Sequence, residues 1–313
     1  MHRPHVRGRR PPSAARGDRT SAGRAPPRWQ ADLALVVAAF FFGTTFIVVQ
    51  DAVERADPLP FLAVRFLIGA AVLAVVARRR PRTERELRHG VIAGTALLVG
   101  YVAQTVGLQY TTAATSAFIT YMLVVFVPLL SYAVTRERPH ALVIAGVALA
   151  VVGLGLLTGG ADVGFGRGEV LTLGCAVAFG AHLVFLGEVA ARHDPIRLTT
   201  VQLATVGGAC LAPAAVQGLA LDAPALGAAA FTGVFATAVS FLAMVWAQRI
   251  VSPSRAALIL LLEPVFAALL SAVTGESITA TSALGGALIL LAVVVAEVLA
   301  PAVSARRARA VSD

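Results

Sequence analysis

Apolar runs of about 20 residues follow one another along this chain, separated by short polar breaks. They lie at 32–50, 58–77, 90–109, 112–134, 141–159, 168–190, 196–217, 224–248, 254–274 and 279–300. A helix needs about 20 apolar residues to cross a hydrocarbon core of about 30 Å. One such run fits a buried helix of a soluble protein. A long succession of them does not, because too little polar surface remains to coat a globule. The composition agrees: 58% of residues are hydrophobic and 14% charged, against about 45–50% and about 25% in a soluble domain. The predicted fold class is an all-α integral membrane protein with ten transmembrane helices.

Every one of the 26 basic residues is arginine, and their placement sets an orientation. With the N-terminus inside, the inner segments carry 23 of them, Arg55 and Arg167 fall in outer loops, and Arg65 lies within a span. Such asymmetry is what the positive-inside rule expects, and an even span count returns the C-terminus to the same side. The expected location is the cell (plasma or inner) membrane, multi-pass, with both termini cytoplasmic. Residues 1–30 are rich in Arg, Pro, Gly and Ser and are predicted to be a disordered basic cytosolic tail. No cleavable signal peptide is read there, and residues 301–313 are read as a cytosolic C-terminal tail. In a soluble protein a pI near 11.0 would suggest nucleic acid. Here the charge sets topology, and no nucleic-acid partner is predicted. The partners implied are the lipid bilayer and anionic headgroups at the cytosolic face near Arg78–Arg88. The sequence leaves homodimer formation open.

The two halves resemble each other. Ala133-Val134-Thr135-Arg136-Glu137 matches Ala272-Val273-Thr274-Gly275-Glu276, 139 residues later. Gln109 matches Gln248 at the same offset, Phe42-Gly43 matches Phe179-Gly180 at offset 137, and Arg65 falls opposite Gln202. Five spans per half is an odd number, so the second copy enters the membrane inverted. Two inverted five-helix repeats, 31–159 and 168–300, are therefore expected, an architecture common in secondary transporters with the substrate site between the halves.

Four segments carry a family resemblance: Phe42-Gly43-Thr44-Thr45-Phe46, Ala63-Val64-Arg65-Phe66-Leu67, Leu108-Gln109-Tyr110-Thr111-Thr112-Ala113 with Ser116-Ala117, and Glu263-Pro264-Val265-Phe266 with Gly275-Glu276. In order and spacing the chain resembles the drug/metabolite transporter superfamily, and within it the ten-helix EamA-type permeases, over about residues 31–300. It departs from that pattern where Phe42 replaces a usual tryptophan and where Val125, not a proline, aligns with Pro264. The resemblance implies transport of small metabolites, amino-acid-like compounds or drugs, and does not fix the substrate.

Polar groups inside the spans are the candidate functional residues, because an intramembrane charge costs about 2.5–3.5 kcal/mol on insertion scales and needs a reason. Glu263, followed by the kink-forming Pro264, is the candidate for coupling or gating. Arg65 cannot lose its charge. It pairs either with a substrate carboxylate or structurally with an acid such as Asp51 or Glu54. His182 suits a proton relay or a packing hydrogen bond. Thr44, Thr45, Tyr101, Gln104, Tyr121, Gln202 and Trp246 complete the substrate-cavity candidates, with Ser240 as a further polar position. Helix-to-helix hydrogen bonding is the competing role for each. Cys175 and Cys210 lack metal-ligand spacing and read as small core residues. No phosphate-binding loop or catalytic constellation is present, so no enzyme, cofactor or metal is predicted. The leading expectation is a secondary transporter working by alternating access, with proton coupling as an option. The alternative is a non-transporting scaffold or receptor with a packed interior.

Overall fold

In a computed structural model, the described residues are 27–55, 57–81, 83–159, 166–218, 221–273 and 279–299. The expectations for tail residues 1–26 and 301–313, and the motif at 274–276, lie outside them. The described chain is helical throughout, with no strand. Its α-helices are α1 (Arg28–Arg55), α2 (Pro58–Ala77), α3 (Glu84–Gly107), α4 (Ala113–Tyr121), α5 (Leu123–Thr135), α6 (Ala141–Leu157), α7 (Arg167–Val189), α8 (Pro195–Gln217), α9 (Ala223–Phe231), α10 (Ser240–Ala247), α11 (Pro253–Leu260), α12 (Glu263–Val273) and α13 (Ala280–Val294). Seven stretches are long and apolar enough to cross a membrane by length and composition. These are Pro58–Ala77, Glu84–Gly107, Thr115–Thr135, Arg167–Arg192, Pro195–Val216, Ala223–Ala247 and Pro253–Leu270, and Ala141–Leu157 and Ala280–Val294 are shorter apolar helices.

The helix starts follow capping chemistry. Asp194 accepts from the backbone N–H of Ile196 and Arg197, with Pro195 at the first helical position. Thr83, Thr112, Ser252 and Thr279 cap α3, α4, α11 and α13 in the same way. Each cap gives a partner to a donor that the helix itself leaves orphaned. The cap at Thr83 starts α3 at Glu84, earlier than the predicted span at 90.

Three predicted spans are continuous in sequence but interrupted in structure. α4 passes into α5 through a turn at Met122, and α11 into α12 through a turn at Leu261–Leu262. Pro264 stands in the first turn of α12, where its missing N–H costs least. The α4–α5 turn lacks such a proline. Between α9 and α10 the chain runs as a π-helix over Thr232–Val239. There the Ser240 hydroxyl donates to the Phe235 carbonyl at 2.9 Å.

Two close approaches fix the helices around the interior. A Cβ built on Gly43 would lie 2.8 Å from the Glu263 carbonyl oxygen, so α1 crosses α12 at its first residue. A Cβ on Gly233 would lie 2.8 Å from the Arg65 carbonyl oxygen, which brings α2 against the π-helical stretch. One continuous apolar core runs through the bundle, with Phe66, Leu154, Leu186, Leu203 and Leu258 among its fully buried side chains.

Ion pairs cluster at one end. Arg255 on α11 makes a two-point contact with Asp32 on α1, Nε to Oδ1 at 2.8 Å and Nη2 to Oδ2 at 2.7 Å. Arg197 pairs with Glu86 at 3.2 Å, and Arg80 pairs with Asp194. Beside them His89 Nδ1 and His193 Nε2 are 2.7 Å apart.

Candidate functional site

A cavity of about 650 Å³ lies between the helices, within the size range of small-molecule sites. Its wall draws on helices from both halves of the chain. α1 gives Phe42 and Thr45, and α2 gives Arg65. α3 contributes Tyr101 and Gln104, and α4 contributes Ser116, Thr120 and Tyr121. Phe179 and His182 come from α7, Phe241 and Met244 from α10, and Glu263 from the start of α12. The cavity extends to Leu108 and Ser116, at the end where α3 turns into α4. That end is remote along the helices from the Asp32–Arg255 pair, which joins the N-terminal ends of α1 and α11.

Most of the wall is apolar and aromatic. Phe66 packs edge-on against Tyr101 with centroids 5.0 Å apart, Tyr101 against Phe179 at 5.2 Å, and Phe42 against Phe241 at 5.4 Å. Such edge-to-face pairs rigidify a wall beyond simple area burial.

Two charged side chains stand in this wall. Arg65 is buried, at 6% exposure. Its Nε donates to the Thr237 hydroxyl at 2.8 Å, and its guanidinium carbon lies 5.7 Å from the Phe66 ring centre. Thr237 is thus a structural partner of Arg65; the anticipated pairing with Asp51 or Glu54 falls on side chains outside the described ones. The Tyr121 phenol reaches the Glu263 carboxyl. Arg65 and Glu263 feel each other electrostatically but form no direct ion pair among the described contacts. A cation and an anion on different helices therefore face one chamber without neutralising each other by contact.

Of the sequence-predicted residues, Thr45, Arg65, Tyr101, Gln104, Tyr121, His182 and Glu263 line the cavity together. Thr44, Gln202, Trp246 and Pro264 are not in its wall. Thr44 donates its hydroxyl to the Phe41 carbonyl at 2.6 Å. Gln202 is fully buried behind His182: its Oε1 lies 2.7 Å from His182 Nε2, and its Nε2 donates to the Leu198 carbonyl at 3.2 Å. Trp246 packs against the apolar core, and Pro264 sits one residue beyond the wall. Ser240, the further polar position, bonds within its own helix. Sequence reasoning missed Ser116 and Thr120 in the wall, and the aromatic surfaces of Phe42, Phe179 and Phe241. Spacing gave a signal for the first two: they are one turn apart on α4, four residues from each other. Cys175 and Cys210 are buried and unpaired with each other. Among the described residues no three His, Cys, Asp or Glu side chains are grouped to hold a metal ion.

The chain matches the model of the EamA-like transporter family twice, over residues 29–159 and 166–297. An uncharacterized transporter of Archaeoglobus fulgidus is 34% identical over 271 residues, covering 86% of each chain. The uncharacterized transporter YwfM of Bacillus subtilis is 28% identical over 278 residues, covering 84% of this chain and 92% of its own length. A solved crystal structure, 20% identical, superposes with a TM-score of 0.77 over 88% of this chain and 99% of that one, a likeness of fold. Several apolar helices of membrane-crossing length around an internal cavity, together with a double family match spanning nearly the whole chain, make this a membrane protein of the drug/metabolite transporter superfamily and a member of the EamA-like transporter family.

Proposed function

We propose that the chain is a secondary carrier that moves small amino-acid-like metabolites or drugs across the cell membrane by alternating access. The observation that carries this reading is the cavity in which Arg65 and Glu263 face a common space without direct contact. A guanidinium and a carboxyl group that do not touch each other, in a largely apolar chamber, suit a solute with opposite charges and an apolar body. A scaffold or receptor would favour a filled interior among Tyr101, His182 and their neighbours, and the cavity speaks against that alternative. The wall chemistry suits binding, and transporter relatives favour a non-enzyme.

In this reading the chain crosses the membrane ten times as two inverted repeats, 31–159 and 168–300, with both termini cytoplasmic. Support comes from the helix interruptions: Met122 and Leu261 are 139 residues apart, the offset that also relates the sequence repeats. The arginine asymmetry supports the orientation. With the N-terminus inside, the Leu108–Ser116 end of the cavity faces outward and the Asp32–Arg255 pair closes the cytosolic side. Glu263, with Pro264 behind it, is the residue for coupling or gating, and the arginines around Arg78–Arg88 face anionic headgroups.

The test is uptake by proteoliposomes of a pooled library of amino acids and small metabolites, with and without an imposed pH gradient. Accumulation that needs the gradient and is lost in Glu263→Gln is the expected result for a proton-coupled carrier. Equilibration regardless of gradient reassigns Glu263 to gating. Absence of any flux through folded protein overturns the transport reading.

A further inference from the structure

Ser116 is 2% exposed, and its hydroxyl makes no hydrogen bond among the described residues. It nevertheless belongs to the cavity wall. A serine or threonine on a helix commonly satisfies itself by donating to the carbonyl three or four residues back. In this molecule Thr44, Thr95, Thr135, Thr172 and Thr199 all do so. Ser116 does not, although the Thr112 carbonyl four residues back is within its own helical turn and accepts the Ser116 N–H at 2.9 Å. Inside a membrane no bulk water compensates an idle hydroxyl. A buried polar atom left unpaired in a protein calls for a partner that is not part of the chain.

One turn deeper on the same face of α4, Thr120 accepts a hydrogen bond from Gln104 Nε2 at 3.1 Å. That bond fixes the carboxamide of Gln104: one of its two N–H donors is engaged and its oxygen is left as an acceptor. Gln104 is half-buried and also lines the cavity. The α3–α4 end of the chamber thus offers a hydroxyl that can donate or accept and a carbonyl oxygen that accepts. The residues beside them, Leu108, Ala117 and Thr120, carry no charge. The charges of the cavity wall stand on α2 and α12 instead.

We propose that Ser116 and Gln104 form a neutral hydrogen-bonding subsite that takes a hydroxyl or carboxamide group of the bound solute. This rests on the reading of the cavity as the substrate chamber and adds what part of the substrate it selects. A neutral donor–acceptor group fits both partners at once, whereas a carboxylate would meet the Gln104 oxygen and an ammonium would find no anion there. An apolar group of the same shape leaves the Ser116 hydroxyl idle, and a site built to hydrogen-bond rejects such a group strongly.

The test is ligand-induced thermal stabilisation of the purified full-length protein in detergent micelles. The probes are matched pairs: L-threonine with L-valine, L-tyrosine with L-phenylalanine, and L-glutamine with L-methionine. In the wild type at least one hydroxyl or carboxamide member is expected to bind about tenfold more tightly than its apolar counterpart. In Ser116→Ala that preference is expected to shrink to within about twofold, with the apolar member binding as before. The ligand-free variant is expected to melt no lower than the wild type, because it loses an unpaired hydroxyl and not a structural bond. A lower ligand-free melting temperature, a preference unchanged in Ser116→Ala, or no preference in any pair overturns the subsite. If Ser116→Ala does not fold, Ser116→Cys, which keeps the shape and weakens the donor, reads the same preference. A preference in binding combined with no flux in proteoliposomes supports the subsite and sinks the transport reading.

Discussion

Arg65 on α2 and Thr237 on the π-helical stretch are joined by a 2.8 Å hydrogen bond, 172 residues apart in sequence. The bond ties a permanent charge to the second half of the chain. Thr237 is fully buried, and among the described residues no other group takes the Nε–H of Arg65. Replacing Thr237 with valine keeps the shape and removes the acceptor. The expected cost is about 1–3 kcal/mol, the range for a buried donor left unsatisfied. Thr237→Ser, which keeps the hydroxyl, should retain most of the stability. Thermal unfolding of the two variants in the same detergent checks this, and equal losses would count against it.

The crossing of α1 over α12 gives a steric prediction. Gly43→Ala places a methyl 2.8 Å from the Glu263 carbonyl oxygen and 2.9 Å from Phe266 Cβ. The neighbours are backbone and a Cβ, so neither swings aside. Overpacking of this kind costs about 1–3 kcal/mol. Gly174 on α7 meets nothing within 4 Å of an added Cβ, so Gly174→Ala should hold or gain about 0.5–1 kcal/mol through helix propensity. The melting temperatures should move in opposite directions or, at the least, only Gly43→Ala should fall.

The two-point contact between Asp32 and Arg255 is partly exposed, with side-chain exposures of 28% and 17%. Its geometry is favourable and its solvent screening substantial, so Asp32→Asn should cost about 1 kcal/mol. The double exchange Asp32→Arg with Arg255→Asp should recover part of that loss. A double exchange no better than Asp32→Arg alone would show that the pairing contributes nothing.

The His89–His193 contact makes one end of the molecule sensitive to acid. Burial first, and Arg192 second, hold the His193 imidazole below its ordinary value of 6.5. The unfolded chain therefore binds the proton more readily than the folded one, and stability rises with pH across that window. Its contribution is intact above about 6.5 and is lost as the pH falls below it. Comparing melting temperatures at pH 7.5 and 5.5, the wild type should lose more than His193→Gln. Identical losses would assign the acid sensitivity elsewhere.

The sequence made the apolar rods legible because a bilayer imposes a length on every crossing element, and composition alone meets or fails that demand. It hid where the rods are interrupted. Pro264 pointed to the break before α12, but the matching turn at Met122 has Val125 where a proline would have been the signal. Pro128 and Pro213 meanwhile sit inside α5 and α8 without ending them. The charged and large polar wall residues were visible because each violated an apolar background. Ser116 was not, since a serine among alanines and threonines violates nothing. Thr44 and Thr45 were indistinguishable in sequence, and both donate to the carbonyl three residues back; only the helix rotation of about 100° per residue puts Thr45 in the wall and Thr44 outside it. Gln202 was placed among the cavity candidates as a polar group inside a span; its contact with His182 takes it one layer behind the wall.

The π-helical turn over Thr232–Val239 acts as a phase shifter. A π-turn holds an extra residue compared with an α-turn, so everything downstream is rotated relative to a regular helix. Forcing this stretch to α-helical pitch with its residue count unchanged would turn α10 by about 100° relative to α9. Phe241 and Met244 would then leave the chamber, and Thr237 would swing away from Arg65. The bearing of α10 is thus set by pitch as well as by length: exchanges of one apolar residue for another that keep the π-turn leave the chamber wall in place, and a change that restores α-helical pitch at the same length does not.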